Sequence, residues 1–410
     1  MKKINSIDLF VGCGGLCDGF ESTGFYKTLA CVEWEKAPCQ NLEIRLRDKW
    51  LYKDADKRVL RFDIQRTEEL FRGWKDKQYG TSIGLDNTIG NSNVDIIIGG
   101  PPCQTYSIAR RQDKNLIKND YRNFLFESYL KVVEHYKPKA FVFENVPGIL
   151  SANPTGKPII EIIKKSFNKA GYIIIDDLSK AIIDFSEYGV PQNRKRIIIL
   201  GLNKSYYGNN AKTMVENFYN NILPNYKVKK KITVREAIGD LPKLLPLDLE
   251  LKIGRKKYSH SFFDDNKIKN HQPRWHNKRD QNIFYMLAND LQTNTNKYIS
   301  TSALKKLYLE ITGKDSNIHK YYVLRWDEQS NLIPAHLYKD GLRHIHPDPI
   351  QSRSITVREA ARLQGFPDDY IFYGTQADAY KMIGNAVPPI FSKVLAMAIY
   401  DLLFKKKEGN

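Results

Sequence analysis

The chain is poor in the features that would place it outside the ordinary folded proteins. Cysteine is scarce, five in 410 residues, all at positions 13 to 103. An odd number clustered in the first quarter does not make a disulfide framework, and no second CxxC-type pair or nearby histidine builds a zinc site. No apolar run reaches the roughly 18 residues a membrane span needs; the nearest, Ile390 to Phe404, is broken by Lys393 and Asp401. The opening MKKINSIDLF has two lysines but no apolar core or cleavage pattern, so it reads as a structural beginning rather than a signal peptide. A cytoplasmic location and no membrane partner are expected. There is no tandem repeat and no low-complexity tract. Acidic residues are in deficit, 46 against 64 Lys plus Arg, leaving a formal charge of +18. Such a balance favours a polyanionic partner, with a merely solvated lysine-rich surface as the alternative. Between Lys227 and Lys320 there are 20 Lys/Arg against 10 Asp/Glu, so under a quarter of the chain holds more than half of the net charge.

What is present is a regular alternation over the first 200 residues. Strands are expected at Ile4–Val11, Leu29–Glu33, Val94–Ile98, Ala140–Glu144 and Ile197–Leu200. Helices are expected at Tyr121–Tyr136 and Ile159–Ala170. Strand and helix in turn mean an α/β domain with a mostly parallel sheet, whose sites lie at the carboxyl ends of the strands. From about residue 205 the texture becomes Asn-, Lys- and Tyr-rich and the alternation is lost. Thr233-Val-Arg-Glu-Ala and Thr356-Val-Arg-Glu-Ala each place Glu three residues after Thr, the capping-box pattern of a helix start. An apolar helical stretch, Pro388–Phe404, closes the chain and is expected to pack on the first domain.

Four constellations fall at strand ends. Asp8-Leu-Phe-Val-Gly-Cys-Gly-Gly runs a strand into a glycine-rich turn, where Gly12, Gly14 and Gly15 admit a ligand close to the backbone. Glu33 ends the next strand and suits ribose hydroxyls. The loop is neither GxGxxG nor a Lys-Ser/Thr phosphate loop, so an adenosine without phosphates, S-adenosylmethionine, fits better than a nucleotide; a plain tight turn fits the spacing as well. Gly99-Gly-Pro-Pro-Cys-Gln-Thr-Tyr-Ser presents Cys103 in a rigid turn, either as a nucleophile or as a structural thiol. Phe141-Val-Phe-Glu-Asn-Val-Pro ends an apolar strand on Glu144, which is costly there unless paired and whose pKa then rises; a helix cap is the alternative. In Gln192-Asn-Arg-Lys-Arg, alternation turns Arg194 and Arg196 to one side, to hold oxygen atoms or as a solvated basic edge.

In this order the motifs closely resemble the DNA (cytosine-5) methyltransferase family, of the bacterial restriction-modification type. The resemblance runs through Asp8–Gly15, Gly100–Ser107, Glu144-Asn-Val, Gln192–Arg196, Arg358-Glu-Ala-Ala-Arg-Leu-Gln-Gly-Phe-Pro367 and Gly384-Asn-Ala-Val-Pro-Pro389. Amino-group methylating enzymes resemble this fold but carry an aromatic residue where this chain has Cys103. The resemblance implies a Rossmann-like S-adenosylmethionine-dependent fold. It also implies a catalytic and cofactor-binding domain at 1–205 plus 368–410, and a target-recognition domain at 206–367.

By the same resemblance, Cys103 adds to cytosine C6, Glu144 donates to N3, Arg196 contacts O2, and Arg194 lies beside it on the DNA backbone. The cofactor S-adenosyl-L-methionine, leaving as S-adenosyl-L-homocysteine, is implied to meet Phe10, Gly12, Gly14, Gly15, Glu33, Trp34, Asp63, Ile64, Pro102 and Asn385; no metal is implied. Gln104, Ser107, Arg110, Arg111, Gln192, Arg274 and Arg325 are the implied DNA contacts, with 104–119 a loop that closes over DNA. The implied partners are double-stranded DNA and a cognate restriction endonuclease acting on the same site; a monomer is expected. Two departures stand out: Ser330-Asn-Leu-Ile-Pro-Ala-His replaces a Thr-rich run, and Tyr121 stands where relatives often have Pro. Methylation of tRNA, or a catalytically idle DNA-binding regulator, are the competing readings. The large basic insert argues against the first and intact Cys103, Glu144 and Arg196 against the second.

Overall fold

The computed structural model describes residues 3–102, 125–153, 158–261 and 268–405. Contacts divide the chain into two units: residues 1–189, 194–230 and 386–410, and residues 190–193 with 231–385. Residues 206–230, which the change in texture assigns to the second domain, therefore fold with the first unit, and 368–385 with the second.

The first unit is built on a sheet of eight strands: β1 (Ile4–Leu9), β2 (Tyr26–Glu33), β3 (Val59–Arg61), β4 (Ile96–Gly99), β5 (Ala140–Asn145), β6 (Tyr172–Ile173), β7 (Ile182–Asp184) and β8 (Lys195–Asn203). Their order is β3-β2-β1-β4-β5-β8-β6, with β7 also on β8. The first five are parallel, and β8 runs antiparallel to β5, β6 and β7. The central strands are nearly continuous apolar runs, Ile96-Ile97-Ile98 and Ala140 to Phe143, buried on both faces. That is what a parallel sheet covered by helices requires. Helix α3 (Leu125–Tyr136) lies on it through Tyr129, whose hydroxyl donates to the Val142 carbonyl at 2.7 Å. Helix α4 (Ile159–Lys169) buries Ile159, Ile163 and Phe167, four residues apart, and Phe167 stacks on Phe141 at 4.2 Å.

The chain leaves β1 toward β2 and β3, then returns to the other side of β1 as β4. Ligands in such sheets sit where the order reverses, outside the carboxyl ends of the strands. Helix α1 (Gly15–Glu21) starts there and packs on α10 (Pro389–Leu403). Gly15 and Gly19 share one helix face. A Cβ on Gly15 would stand 2.1 Å from the Val387 carbonyl oxygen, and one on Gly19 2.3 Å from the Ser392 Cβ. Only glycine at both places lets the two segments meet this closely, so the apolar C-terminal helix does pack within the first unit.

The second unit packs α6 (Lys278–Gln292) and α7 (Thr301–Thr312) around Ile283, Phe284, Leu287 and Leu307 with Tyr321, Val323 and Ile345. Both Thr-x-x-Glu patterns form full capping boxes, opening α5 (Val234–Ile238) and α8 (Val357–Leu363). In the second box Glu359 does two jobs. It accepts from the Thr356 amide at 2.7 Å, and it takes the buried Arg353 guanidinium through two bonds of 2.7 Å. Burial pushes the Glu359 carboxyl up, but Arg353 and His346 more than reverse this and hold it well below the usual range. The Arg358 guanidinium serves the backbone instead, donating to the carbonyls of Lys269, Pro367 and Tyr370.

Five buried histidines lie in this unit, and four of them dominate its pH response. Burial pulls His260 down to about 4 and His276, His344 and His346 to about 3, with the positive charge of Arg353 adding to it at His260, His276 and His346. In the unfolded chain each titrates near 6.5. The unfolded state therefore binds more protons below that pH, so stability is complete above about 6.5 and falls as the pH drops toward 4. The loss is on the order of 1 kcal/mol per histidine per pH unit. Thermal denaturation between pH 7.5 and 5 should show a falling melting temperature, with a shallower slope in His346→Gln.

Candidate active site

The site begins where β1 ends. Phe10 takes a left-handed backbone, φ 56°, which is strained for an aromatic residue. Beyond it the chain stays alongside β2, with the Val11 amide donating to the Val32 carbonyl at 3.1 Å. Gly12 and Gly14 follow at φ 56° and 90°, and α1 starts. The turn brings the Gly12 amide 2.9 Å from Glu33 Oε2, while the amides of Trp34 and Glu35 donate to Oε1 at 2.8 and 2.9 Å. Glu33 is thus buried but held in one orientation by three backbone donors. Burial raises its pKa and the three amides pull the other way, leaving it above the ordinary value.

Around this carboxylate the other residues of the first group fall into place along the strand ends. Trp34 is half exposed, 51%, and Phe10 is partly exposed. The Phe62 amide donates to the Glu33 carbonyl, which sets Asp63 at the end of β3 beside the end of β2. Asp63 is partly exposed and accepts from the Gln65 amide; Ile64 is buried. Gly15 owes its missing side chain to Val387, as described above. Asn385 is exposed at the end of α9 (Gln376–Asn385) in the second unit. Beneath the loop, burial holds the Asp8 carboxyl well above the usual range. The Cys17 amide pulls the other way, and the charge of Glu33 adds to the rise.

The second group gathers at the ends of β4, β5 and β8. Glu144 on β5 stands opposite Ile198 of β8, and Arg196 Nε reaches its Oε1 at 3.1 Å. Burial raises the Glu144 pKa, and Arg196 and Arg194 partly offset it. Arg194 is fully buried and donates to the Ala386 carbonyl at 3.1 Å. Burial and the neighbouring charge of Arg196 lower its pKa, against the pull of Glu144. Gly100, just beyond β4, lies so close that a Cβ there would be 2.7 Å from Glu144 Oε2. The Asn145 side chain donates to the Pro101 carbonyl at 3.3 Å. Pro102 is the last described residue of this turn. Cys103, Gln104, Ser107, Arg110 and Arg111 lie outside the described residues.

Gly100 and Asn145 were quoted in motifs but given no role by sequence reasoning. The signal for Gly100 was there: a glycine pair ending a buried strand marks a place where a side chain has no room. The DNA contacts implied for the second unit look different in the structure. Gln192 is fully buried; its amide nitrogen donates to the Leu363 carbonyl and to Gln364, and its oxygen accepts from the Ile333 amide. It is spent on holding that unit together. Arg274 donates to the carbonyls of Leu337 and Tyr338 and lies over the Tyr380 ring at 4.1 Å. Arg325 is at the surface, 3.3 Å from Glu328.

The sheet order, the glycine turn and the paired Glu144 define an α/β enzyme of the methyltransferase class. The chain belongs to the C-5 cytosine-specific DNA methylase family, whose family model matches residues 4–401. It is therefore a DNA cytosine-5 methyltransferase. It is 34% identical to the Type II methyltransferase M.Bpa9945I of Bacillus paralicheniformis, over 97% of this chain and 98% of that protein. It is 28% identical to the Type II methyltransferase M.XorII of Xanthomonas oryzae, over 100% of this chain and 87% of that one. Among solved structures, the Entamoeba histolytica methyltransferase EhMeth shares the fold with a TM-score of 0.55 at 16% identity, over 99% of this chain and 100% of its own.

Gly100→Ala tests how tightly this group is packed. The added methyl must displace the Glu144 carboxylate, and a misplacement of about 1 Å near the chemistry costs on the order of 100-fold. Methyl transfer should fall by that order while the melting temperature stays within a few degrees; an active Gly100→Ala enzyme would mean that Glu144 need not sit where it does.

Proposed function

We propose that the enzyme transfers a methyl group from S-adenosyl-L-methionine to C5 of a cytosine flipped out of double-stranded DNA, through a covalent bond between Cys103 and C6. The observation that carries this is the Glu144–Arg196 pair, locked against Gly100 three residues before Cys103. A cytosine ring carbon is a poor nucleophile, so addition of a thiolate splits one hard step into two. As the Cys103 sulfur bonds to C6, electron density moves through the ring toward N3. Glu144, whose pKa burial raises against the pull of Arg196, donates to N3, and Arg196 faces O2. C5 then carries the density that bonds to the methyl carbon. Loss of the C5 proton to a base, expulsion of the Cys103 thiolate and return of the N3 proton to Glu144 restore the aromatic ring and the enzyme. The base is reached only outside the helix stack.

The residues at the ends of β1, β2 and β3 suit an uncharged nucleoside. Glu33 offers a pre-oriented acceptor for ribose hydroxyls, Phe10 and Trp34 offer aromatic faces, and the loop brings no cation for phosphates. S-adenosyl-L-methionine bound there would supply an electrophilic methyl group and leave as S-adenosyl-L-homocysteine. The Type II names of the relatives support pairing with a restriction endonuclease that cuts the same site. We further propose a cytoplasmic location and a monomer.

Bisulfite sequencing of plasmid DNA, after expression in a host without cytosine methylation, should show one short motif protected. Labelled methyl donor should enter DNA and not tRNA. Cys103→Ala should lose methyl transfer yet still bind DNA, and DNA carrying 5-fluorocytosine should trap the wild-type enzyme covalently, since fluorine does not leave as a proton. Turnover by Cys103→Ala, or no trapped adduct with the wild type, overturns the covalent route.

A further inference from the structure

The second unit carries an element that neither its core nor the catalytic chemistry uses. Strands β9 (Pro246–Ile253) and β10 (Lys256–His260) form a separate two-stranded ribbon. Its two-residue turn has Gly254 at φ 58°, with open space around it, and Arg255 outside the left-handed region. This is the glycine-first turn whose twist matches a tight hairpin. The base of the ribbon is anchored. His260 Nε2 donates to the Gln351 carbonyl, the Ser261 amide to the Leu245 carbonyl, and the His276 amide to Ser259 Oγ. Every residue from Asp248 to Lys257 is exposed. The result is an exposed ribbon on an ordered base, steadied along its length by Lys256 donating to Gln272 and Trp275 donating to Glu250.

Its two faces differ. Leu251 and Ile253, two apart in the regularly paired part of β9, share one face and are exposed by 43% and 50%; Leu249, exposed by 85%, stands just before them where the pairing register shifts. On the other face Lys252 stands directly opposite Lys257, with Glu250 3.4 Å from the latter. Like charges directly across a ribbon are destabilising, and a row of exposed branched side chains gains nothing from water. Arg255 and Lys256 add two more positive charges at the tip. Apolar row, facing lysines and cationic tip together match one surface, a groove of duplex DNA walled by phosphates. The major groove, about 12 Å wide, admits a two-stranded ribbon, and the thymine methyl group there is the natural contact for an apolar side chain.

We propose that the 246–260 ribbon is a base-reading element of this enzyme. It enters the major groove of the substrate duplex, the Leu249 row contacts at least one thymine methyl, and Lys252 and Lys257 hold phosphate. This rests on the enzyme acting on duplex DNA, and it names an element that the motifs did not single out.

The test uses the full-length enzyme with Leu249→Ser and, separately, Lys252→Gln/Lys257→Gln. All three positions are exposed, so unchanged circular dichroism and melting temperature are expected. On a library of duplexes varied around the methylated site, wild type should show a thymine-dependent position. Replacing that thymine by uracil should lower kcat/KM about five-fold, the worth of one buried methyl group. Leu249→Ser should lose this thymine-over-uracil preference while still methylating the same cytosine. The lysine pair should weaken binding to all duplexes alike and reduce the salt slope by up to about two. Identical site preference in wild type and Leu249→Ser, absence of any thymine-dependent position, or a concentration-dependent dimer abolished by Leu249→Ser would each overturn the proposal. Wild-type methylation of duplex DNA, scored in the same assay, separates this outcome from failure of the proposed function itself.

Discussion

A carboxylate inside an apolar sheet has to be neutralised by a proton or by a cation, and Glu144 is placed between the two. Burial pushes it toward the protonated form while Arg196 at 3.1 Å pulls it back. That balance depends on the sheet. Only because β8 returns antiparallel beside β5, with Ile198 opposite Glu144, can Arg196 two residues along reach the carboxylate, and only because β4 runs out through Gly99 and Gly100 does the turn before Cys103 come so close to it. The buried isoleucines and phenylalanines of β4, β5 and β8 keep these strand ends in register. A one-residue slip would turn Glu144 to the opposite face.

The second unit solves the burial of charge differently. Arg353 and Glu359 are both essentially inaccessible and joined by two 2.7 Å bonds. Breaking such a pair by removing one partner typically costs about 3–5 kcal/mol. Here the acid is also the capping residue of α8, so the charge pair and the helix start are one structure. Arg358 satisfies three carbonyls, and Arg362 takes Asp368 through two bonds. The residues of the Arg-Leu-Gln-Gly-Phe-Pro segment therefore act inside the protein, as struts. Motif membership alone did not reveal this.

How much could be read in advance follows from the range of each interaction. The strands, the helix starts and the pairing of a buried acid with a nearby cation are local or period-two effects, and the sequence carries them directly. Glu33 was recognisable as a strand-ending acid, but the three amides that orient it come from the fold of the turn. Gln192 was assigned outward, to DNA, by the family resemblance, which reports motif position and not packing; the structure buries it against Leu363 and Gln364, more than 170 positions away. Segment 206–230 was assigned to the second domain by the resemblance and the change in texture, neither of which reports packing, and Tyr219 in it hydrogen-bonds to one edge of β8, at Ile198 and Leu200.

The contact between α1 and α10 bears on how the molecule is made. Tyr26 donates to the Ala396 carbonyl across 370 positions of chain, and Phe25 stacks on Tyr400 at 3.9 Å. A ribosome synthesising the chain releases the glycine face of α1 long before its covering helix exists. Until then the glycine turn has nothing behind it, and β1 and β2 wait with one apolar flank open to water and to other nascent chains. Completion of the first unit thus waits until Pro389–Leu403 has been made, and a chain interrupted before it carries every strand of the sheet without the helix that closes it.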